Sequence, residues 1–396
     1  CLTSNYLSAK LSMKITASKL RNWNTQFEFS VKYNISDCST YALTTKELFS
    51  LAGEKARNEY LNLSLKYTES LGGLLLRREI SNLYLNLKPE NILATNGAIE
   101  AIFLIMNSLL NKGDNIIVQF PIYQALYQVA ESNGVKIKRW NLKKENNFLP
   151  DLAELNNLID KNTKMIVINQ PQVPIGSIMG KEMLKALINL AEKNNLYIVS
   201  DEVCLPLLWD VKNTVPALAD IYKKGISLGD VSKPFGAGGL RIGWLAAQNI
   251  SIFKNCLALR GYTTMSNSGP SEFLAALILK NKEKILAPRL KVLRKNFTGL
   301  IRLVEKNKEI FNLIRPRGGA TAFVNYNLKI KSDDFCRKLI KKYNTLLVPG
   351  SVYGLENYFR IGLGAKPEIF QIGLKNLEKF IKQLTNKPGF YNGRAC

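Results

Sequence analysis

The sequence predicts an α/β fold: a mostly parallel sheet sandwiched between helices, followed by a smaller α+β domain at the C-terminal end. Two observations carry this. Apolar runs of strand length, "NIIVQF" (115–120), "KMIVIN" (164–169), "LYIVSD" (196–201), "GISLGD" (225–230) and "IGWLAA" (242–247), alternate with helical stretches. Such runs are continuous rather than alternating, as strands covered on both faces are. The pattern then changes after about residue 285, where a long helix precedes short strands and two more helices. A chain of 396 residues is long enough for two domains.

Taken in order, residues 13–45 read as an N-terminal arm that packs back on the small domain. The large domain spans 46–285, and the small one 286–396. "TTKELFSLAGEKARNEYLNLSL" (44–65) and "GGLLLRREISNLYLNL" (72–87) have helical apolar spacing. "QALYQVAESNG" and "GKEMLKALINLAEKNN" are helices between strands, stopped by Gly134 and by Asn194–Asn195. In the tail, helices are expected over 287–307, 333–343 and 367–384, with "GGATAFVNYN", "TLLVPG" and "YFRIGLG" between them.

Composition narrows the function. Lys+Arg 55 against Asp+Glu 31 gives a net charge of +24, but the lysines are scattered, with no basic block interleaved with aromatics. Nucleic acid is therefore not the expected partner. Histidine is absent, which removes histidine triads and histidine-containing metal sites, and no metal is expected. Cys1, Cys38, Cys204, Cys256, Cys336 and Cys396 stand alone, without a C-x-x-C pair. That points to a reducing compartment. No basic-plus-apolar leader and no run of about 20 apolar residues occurs. A cytoplasmic protein without membrane association is expected, with Met13 the natural start.

The stretch "GDVSKPFGAGGLRIGW" (229–244) holds a lysine and an arginine across a glycine-rich turn. Alone, it reads as a hairpin: a strand ending near Lys233, a turn at glycines 236, 238 and 239, and a strand starting at Arg241. Further segments set it in context. "ATNGAIEAIFLIMNSL" (94–109) opens a helix at Gly97 and Ala98, where free N–H groups suit an anion. Asp201 ends an apolar strand in "YIVSDEV"; Tyr123 lies in "FPIYQALY", Tyr67 in "LKYTESLGGLLLRRE" and Arg360 in "YFRIGLG".

In this order and at these spacings the motifs resemble the class I/II aminotransferases of the large pyridoxal 5′-phosphate (PLP) fold type, from about residue 20 to 384. The resemblance implies a PLP-dependent enzyme acting on a small-molecule α-amino acid, most simply by transamination. Lys233 matches the Schiff-base lysine, which also acts as base and acid at the α-carbon. Arg241 matches the phosphate arginine, with Ser232, Gly97 and Ala98 beside it. Asp201 matches the carboxylate at the pyridine nitrogen, and Tyr123 the aromatic stacked on the ring. Asn169 belongs to the same cofactor-binding set. Arg360 matches the arginine that grips the substrate carboxylate. Tyr67 matches a tyrosine reaching the phosphate of a neighbouring subunit, which implies a homodimer with shared sites.

The pattern also departs from the family. "NQPQVPIG" (169–176) puts Val173 where an asparagine donates to the cofactor's phenolic oxygen, and Cys204 stands where a tyrosine does so. Asp230 takes a position where a hydroxyl often helps bind phosphate, so it must point elsewhere or hold Arg241. "KLRNWNTQFEFSVKYNIS", "LAPRLKVLRKN" and "RPRGGATAF" are similar to the capreomycidine synthase branch. That branch implies cyclisation by elimination on a hydroxylated arginine. A non-catalytic PLP-binding homologue is a further alternative.

Overall fold

The central sheet forms where the sequence runs apolar. A computed structural model describes residues 15–209 and 214–386. Met13 as a start, and the outer ends of the arm and the small domain, lie outside the described residues. In chain order the strands are β1 (Tyr33–Asn34), β2 (Ile92–Thr95), β3 (Asn115–Phe120), β4 (Lys136–Asn141), β5 (Thr163–Asn169), β6 (Tyr197–Asp201) and β7 (Gly225–Asp230). They continue as β8 (Gly243–Ala247), β9 (Phe311–Leu313), β10 (Thr321–Tyr326), β11 (Thr345–Leu346), β12 (Val348–Pro349) and β13 (Tyr358–Gly362).

Seven strands make the large sheet, in the order β2-β8-β7-β6-β5-β3-β4. β3 to β7 run parallel, while β8 is antiparallel to both neighbours. Every residue of β3 and β7 is buried, which is why these segments read as unbroken apolar runs. Helices cover the sheet by the same logic. Lys181–Lys193 buries Leu184, Leu187, Ile188 and Ala191, one stripe at helical spacing.

The 229–244 segment is a wide antiparallel connection rather than a tight hairpin. Gly229 of β7 pairs with Trp244 of β8. A Cβ at Gly229 would stand 2.4 Å from the Trp244 ring, so glycine makes room for the indole. The expected helix over 44–65 is split into Thr45–Ala52 and Glu54–Leu61 by Gly53, whose φ of 88° no L side chain adopts easily. The one expected over 72–87 shrinks to Leu74–Ser81.

A four-stranded antiparallel sheet, β12-β13-β10-β9, forms the C-terminal part with helices Ser332–Tyr343 and Pro367–Thr385. Helix Lys282–Lys306 runs unbroken through residue 285. The arm comes back to this part: β1 pairs in parallel with β11, and Trp23 Nε1 donates to the Leu347 carbonyl at 2.9 Å. Among the described residues no helix is long and apolar enough to cross a membrane.

Candidate active site

The chemistry-bearing residues gather at the carboxyl ends of the parallel strands. β5 ends at Asn169, β6 at Asp201 and β7 at Asp230. In an open parallel sheet this edge is where the crevice opens.

Lys233 follows β7 in a single helical turn, Ser232–Phe235. Asp230 builds that turn: its Oδ1 accepts from Ser232 N at 2.7 Å, Ser232 Oγ at 2.6 Å and Lys233 N at 3.4 Å. Asp230 thus points into the lysine turn, away from any anion, and does not hold Arg241. The Ser232 hydroxyl donates to the same carboxylate oxygen, so its one proton is engaged there. Around the Lys233 amine, Cys38, Asp37 and Asp230 raise its proton affinity above the ordinary lysine value, against the pull of burial.

Arg241, Gly97 and Ala98 are brought together. Gly97 has φ 75° and opens helix Ala98–Ser108. A Cβ there would stand 2.2 Å from Arg241 Nη2, so the guanidinium lies directly over the helix start. Arg241 Nη1 donates to the Gly238 carbonyl at 3.0 Å, which fixes the fork beside the unpaired N–H groups of the first turn. The cluster is a built anion cradle of helix end and guanidinium.

Asp201 is set by its neighbours. Its backbone carbonyl accepts from Asn169 Nδ2 at 2.8 Å and from Gln170 N at 2.9 Å. Burial pushes its carboxyl up to about 7, with Asp230 adding to the rise and the Val203 N–H and Lys233 opposing it. Asn169 donates one amide hydrogen to the Asp201 carbonyl at 2.8 Å and accepts from Val173 N at 2.6 Å, which braces the end of the Asp201 strand. Tyr123 shares the pocket: Lys233, Cys38 and Asp201 all act on its hydroxyl, whose pKa burial raises.

Arg360, on β13, is 1% exposed. Its Nη1 donates to the Tyr353 hydroxyl at 2.5 Å and its Nη2 to the Ser36 carbonyl at 2.7 Å, while Nε has no partner. A buried guanidinium with an unpaired N–H has the donor geometry to bind a carboxylate. Tyr67 lies apart from this pocket and is 83% exposed. Sequence reasoning missed Asp37, Cys38 and Tyr353. Only the tertiary fold brings the arm and the 350s to the lysine, and no local signal marks them.

The family model for aminotransferase class I and II matches residues 45–375. The chain belongs to this family. A capreomycidine synthase of Streptomyces vinaceus is 27% identical to this aminotransferase over 357 residues, covering 90% of this chain and 91% of that one. An aspartate aminotransferase of Pyrococcus horikoshii is 28% identical over 327 residues, covering 80% and 83%. The crystal structure of a PLP-dependent aminotransferase from Streptococcus suis superposes with TM-score 0.89 at 33% identity, covering 94% and 99%.

The site of the aminotransferase fits PLP on its own chemistry. The cradle at Gly97 and Arg241 suits a phosphate, Lys233 offers an amine, and buried Asp201, its carboxyl held up to about 7, suits a basic ring nitrogen whose proton would ionise it. Asp201 also weakens the cofactor-free protein, and the sign is testable. The unfolded carboxyl releases its proton near 3.8, whereas the native one keeps it to about 7. The native state therefore binds more protons over that window, and stability falls as pH rises through it. Asp201→Asn, stripped of cofactor, should melt higher than the stripped parent at pH 8, and the gap should close near pH 4. Three pKa units at about 1.4 kcal/mol each cap the gain at roughly 4 kcal/mol. Equal melting temperatures at both pH values would show that the carboxylate is well solvated.

Proposed function

We propose that the chain transaminates a small α-amino acid with PLP, Lys233 serving as covalent anchor and as acid and base. What supports the reading is that Asp201 and Tyr123 act on Lys233, that Asp37 and Cys38 act on both Lys233 and Arg360, and that the Arg241 guanidinium lies over the helix start at Gly97. When bound, the cofactor supplies an aldehyde for amines and a ring that takes up the electrons of the α-carbon. The protein does the rest. Arg360 takes the substrate carboxylate and so sets which α-carbon bond faces the ring. Tyr123 would pack against the ring, and Asp201 would favour a protonated ring nitrogen. With the cofactor bound, Lys233 would be the group that takes a proton from the α-carbon and returns it.

The working unit we propose is a homodimer. Leu65, Tyr67, Leu75, Tyr262 and Met265 are exposed apolar side chains, and the Thr68 hydroxyl on the Asn267 carbonyl at 3.0 Å joins the segment of Tyr67 to that of Met265. A patch of this kind marks an interface, and the exposure of Tyr67 lets it reach a partner's phosphate cradle. Cys38, Cys204, Cys256 and Cys336 are free, in keeping with a reducing, cytoplasmic setting.

A second reading, cyclisation of a hydroxylated arginine by elimination, draws on the capreomycidine synthase relative and on Val173 and Cys204, which leave the phenolic oxygen without its ordinary donors. Mass spectrometry of products separates the two. The PLP-loaded protein is given a panel of amino acids, including arginine and its hydroxylated forms, with and without a 2-oxoacid. Transfer of the amino group to the oxoacid is the expected result. Loss of water and ring closure without an acceptor would establish the cyclase instead.

A further inference from the structure

The backbone that opens helix Ala98–Ser108 is held twice. β8 presses on it from the sheet: a Cβ at Gly243 would stand 2.3 Å from Ala98 N and 2.4 Å from the Gly97 carbonyl carbon. The second hold is Glu100, a buried carboxylate in the first turn. Its Oε2 accepts from Asn96 N at 2.6 Å. Gly97 N and Glu100 N donate to the Thr95 and Gly97 carbonyls at 2.9 and 3.2 Å. Among the described residues, the N–H groups of Ala98 and Ile99 stay without a partner, and these two are what the cradle offers an anion beside Arg241.

A glutamate at a helix start needs only the contact with Asn96 N to cap it. Here the other oxygen is also saturated, by a segment far along the chain. Oε1 accepts from the Thr263 hydroxyl at 2.8 Å and from the Thr264 hydroxyl at 2.6 Å, with Arg260 Nε at 3.7 Å. That segment is fixed in its own right. Arg260 is fully buried and donates to the Ser70 carbonyl, to the Asn267 side chain and, at 3.3 Å, to the Thr264 hydroxyl. We infer that Glu100 is a positioning residue for the phosphate cradle: it ties the Asn96–Ala98 backbone to the 260–264 turn and so holds the two free N–H groups in place beside the Arg241 guanidinium. The inference rests on the PLP reading of the site. A bare carboxylate this near a phosphate would repel it. Arg260 and three hydrogen bonds offset that charge, and a cradle fixed beforehand loses less freedom when it binds.

The test separates the phosphate from the rest of the cofactor. Wild type, Glu100→Gln and a double variant, Thr263→Val with Thr264→Val, are stripped and titrated with PLP and with pyridoxal, which has the ring and aldehyde but no phosphate. The long-wavelength cofactor band reads binding. Glu100→Gln keeps the size of the side chain but offers one acceptor oxygen in place of two and no charge for Arg260. It should raise the Kd for PLP about tenfold and leave that for pyridoxal within about twofold. The double variant keeps Glu100 and its bond to Asn96, and should raise the Kd for PLP about threefold, again without change for pyridoxal. A merely structural role would weaken both ligands alike. Equal losses for the two ligands, or PLP binding unchanged in either variant, would overturn the inference. Absence of any cofactor band with either ligand in the wild type would instead overturn the PLP reading beneath it.

Discussion

Lys233→Ala protein is expected to carry no covalent cofactor and to lose at least about a hundredfold in turnover, the lower end of what a positioned acid–base group supplies. Borohydride reduction followed by peptide mapping reads the first part. In the wild type the pyridoxyl group should sit on Lys233 alone, although Lys223 and Lys224 lie only a few residues upstream. In the variant no peptide should carry it. The substitution leaves the turn intact, because Asp230 holds that turn through Ser232 and through backbone N–H groups rather than through the lysine side chain. A folded Lys233→Ala protein that still reduced to a pyridoxyl adduct elsewhere would place the cofactor on a different amine.

Arg360→Lys should weaken the grip on the amino-acid carboxylate more than it slows the chemistry. Lysine keeps the charge but not the planar fork. It would also leave the Tyr353 hydroxyl and the Ser36 carbonyl without the donors that now satisfy them at 2.5 and 2.7 Å. Removing one partner of a buried, hydrogen-bonded charge pair costs about 2–5 kcal/mol. The expected result is a rise in KM of roughly thirtyfold or more, with a smaller fall in kcat. An amine substrate lacking the carboxylate should be insensitive to the change. An unchanged KM for amino acids would show that the carboxylate binds elsewhere.

The large sheet was legible because burial on both faces leaves a mark that local reading detects. β3, β5, β6 and β7 fall within one residue of the apolar runs that announced them. β4 was not legible. As an edge strand, "KIKRWN" keeps most of its side chains near water and carries no apolar signature. β2 was too short, at four residues, to stand out from the helix it precedes. The site shows the same division. Lys233, Arg241 and Gly97 announced themselves because each depends on a local turn or helix start. The hydrogen bonds of Ser232 and Asn169 were not legible, since residue type does not reveal which partner a donor finds: the serine hydroxyl donates to Asp230, and the asparagine amide to the Asp201 carbonyl. Cys38 and Tyr353 could not be found locally at all, because long-range pairing brings them to the lysine.

That long-range pairing has a consequence for how the molecule comes into being. Trp23 meets Leu347, and Ser36 meets Arg360, each across 324 positions of chain. Closing a loop of that size costs on the order of 5 kcal/mol in chain entropy before any contact repays it. On the ribosome, the arm must wait unpaired until β13 has been made. The sheet bearing Lys233 and Asp201 has its strands long before then. Synthesis therefore passes through a stage in which the large sheet with Lys233 and Asp201 is made while the arm still lacks its partners Leu347 and Arg360.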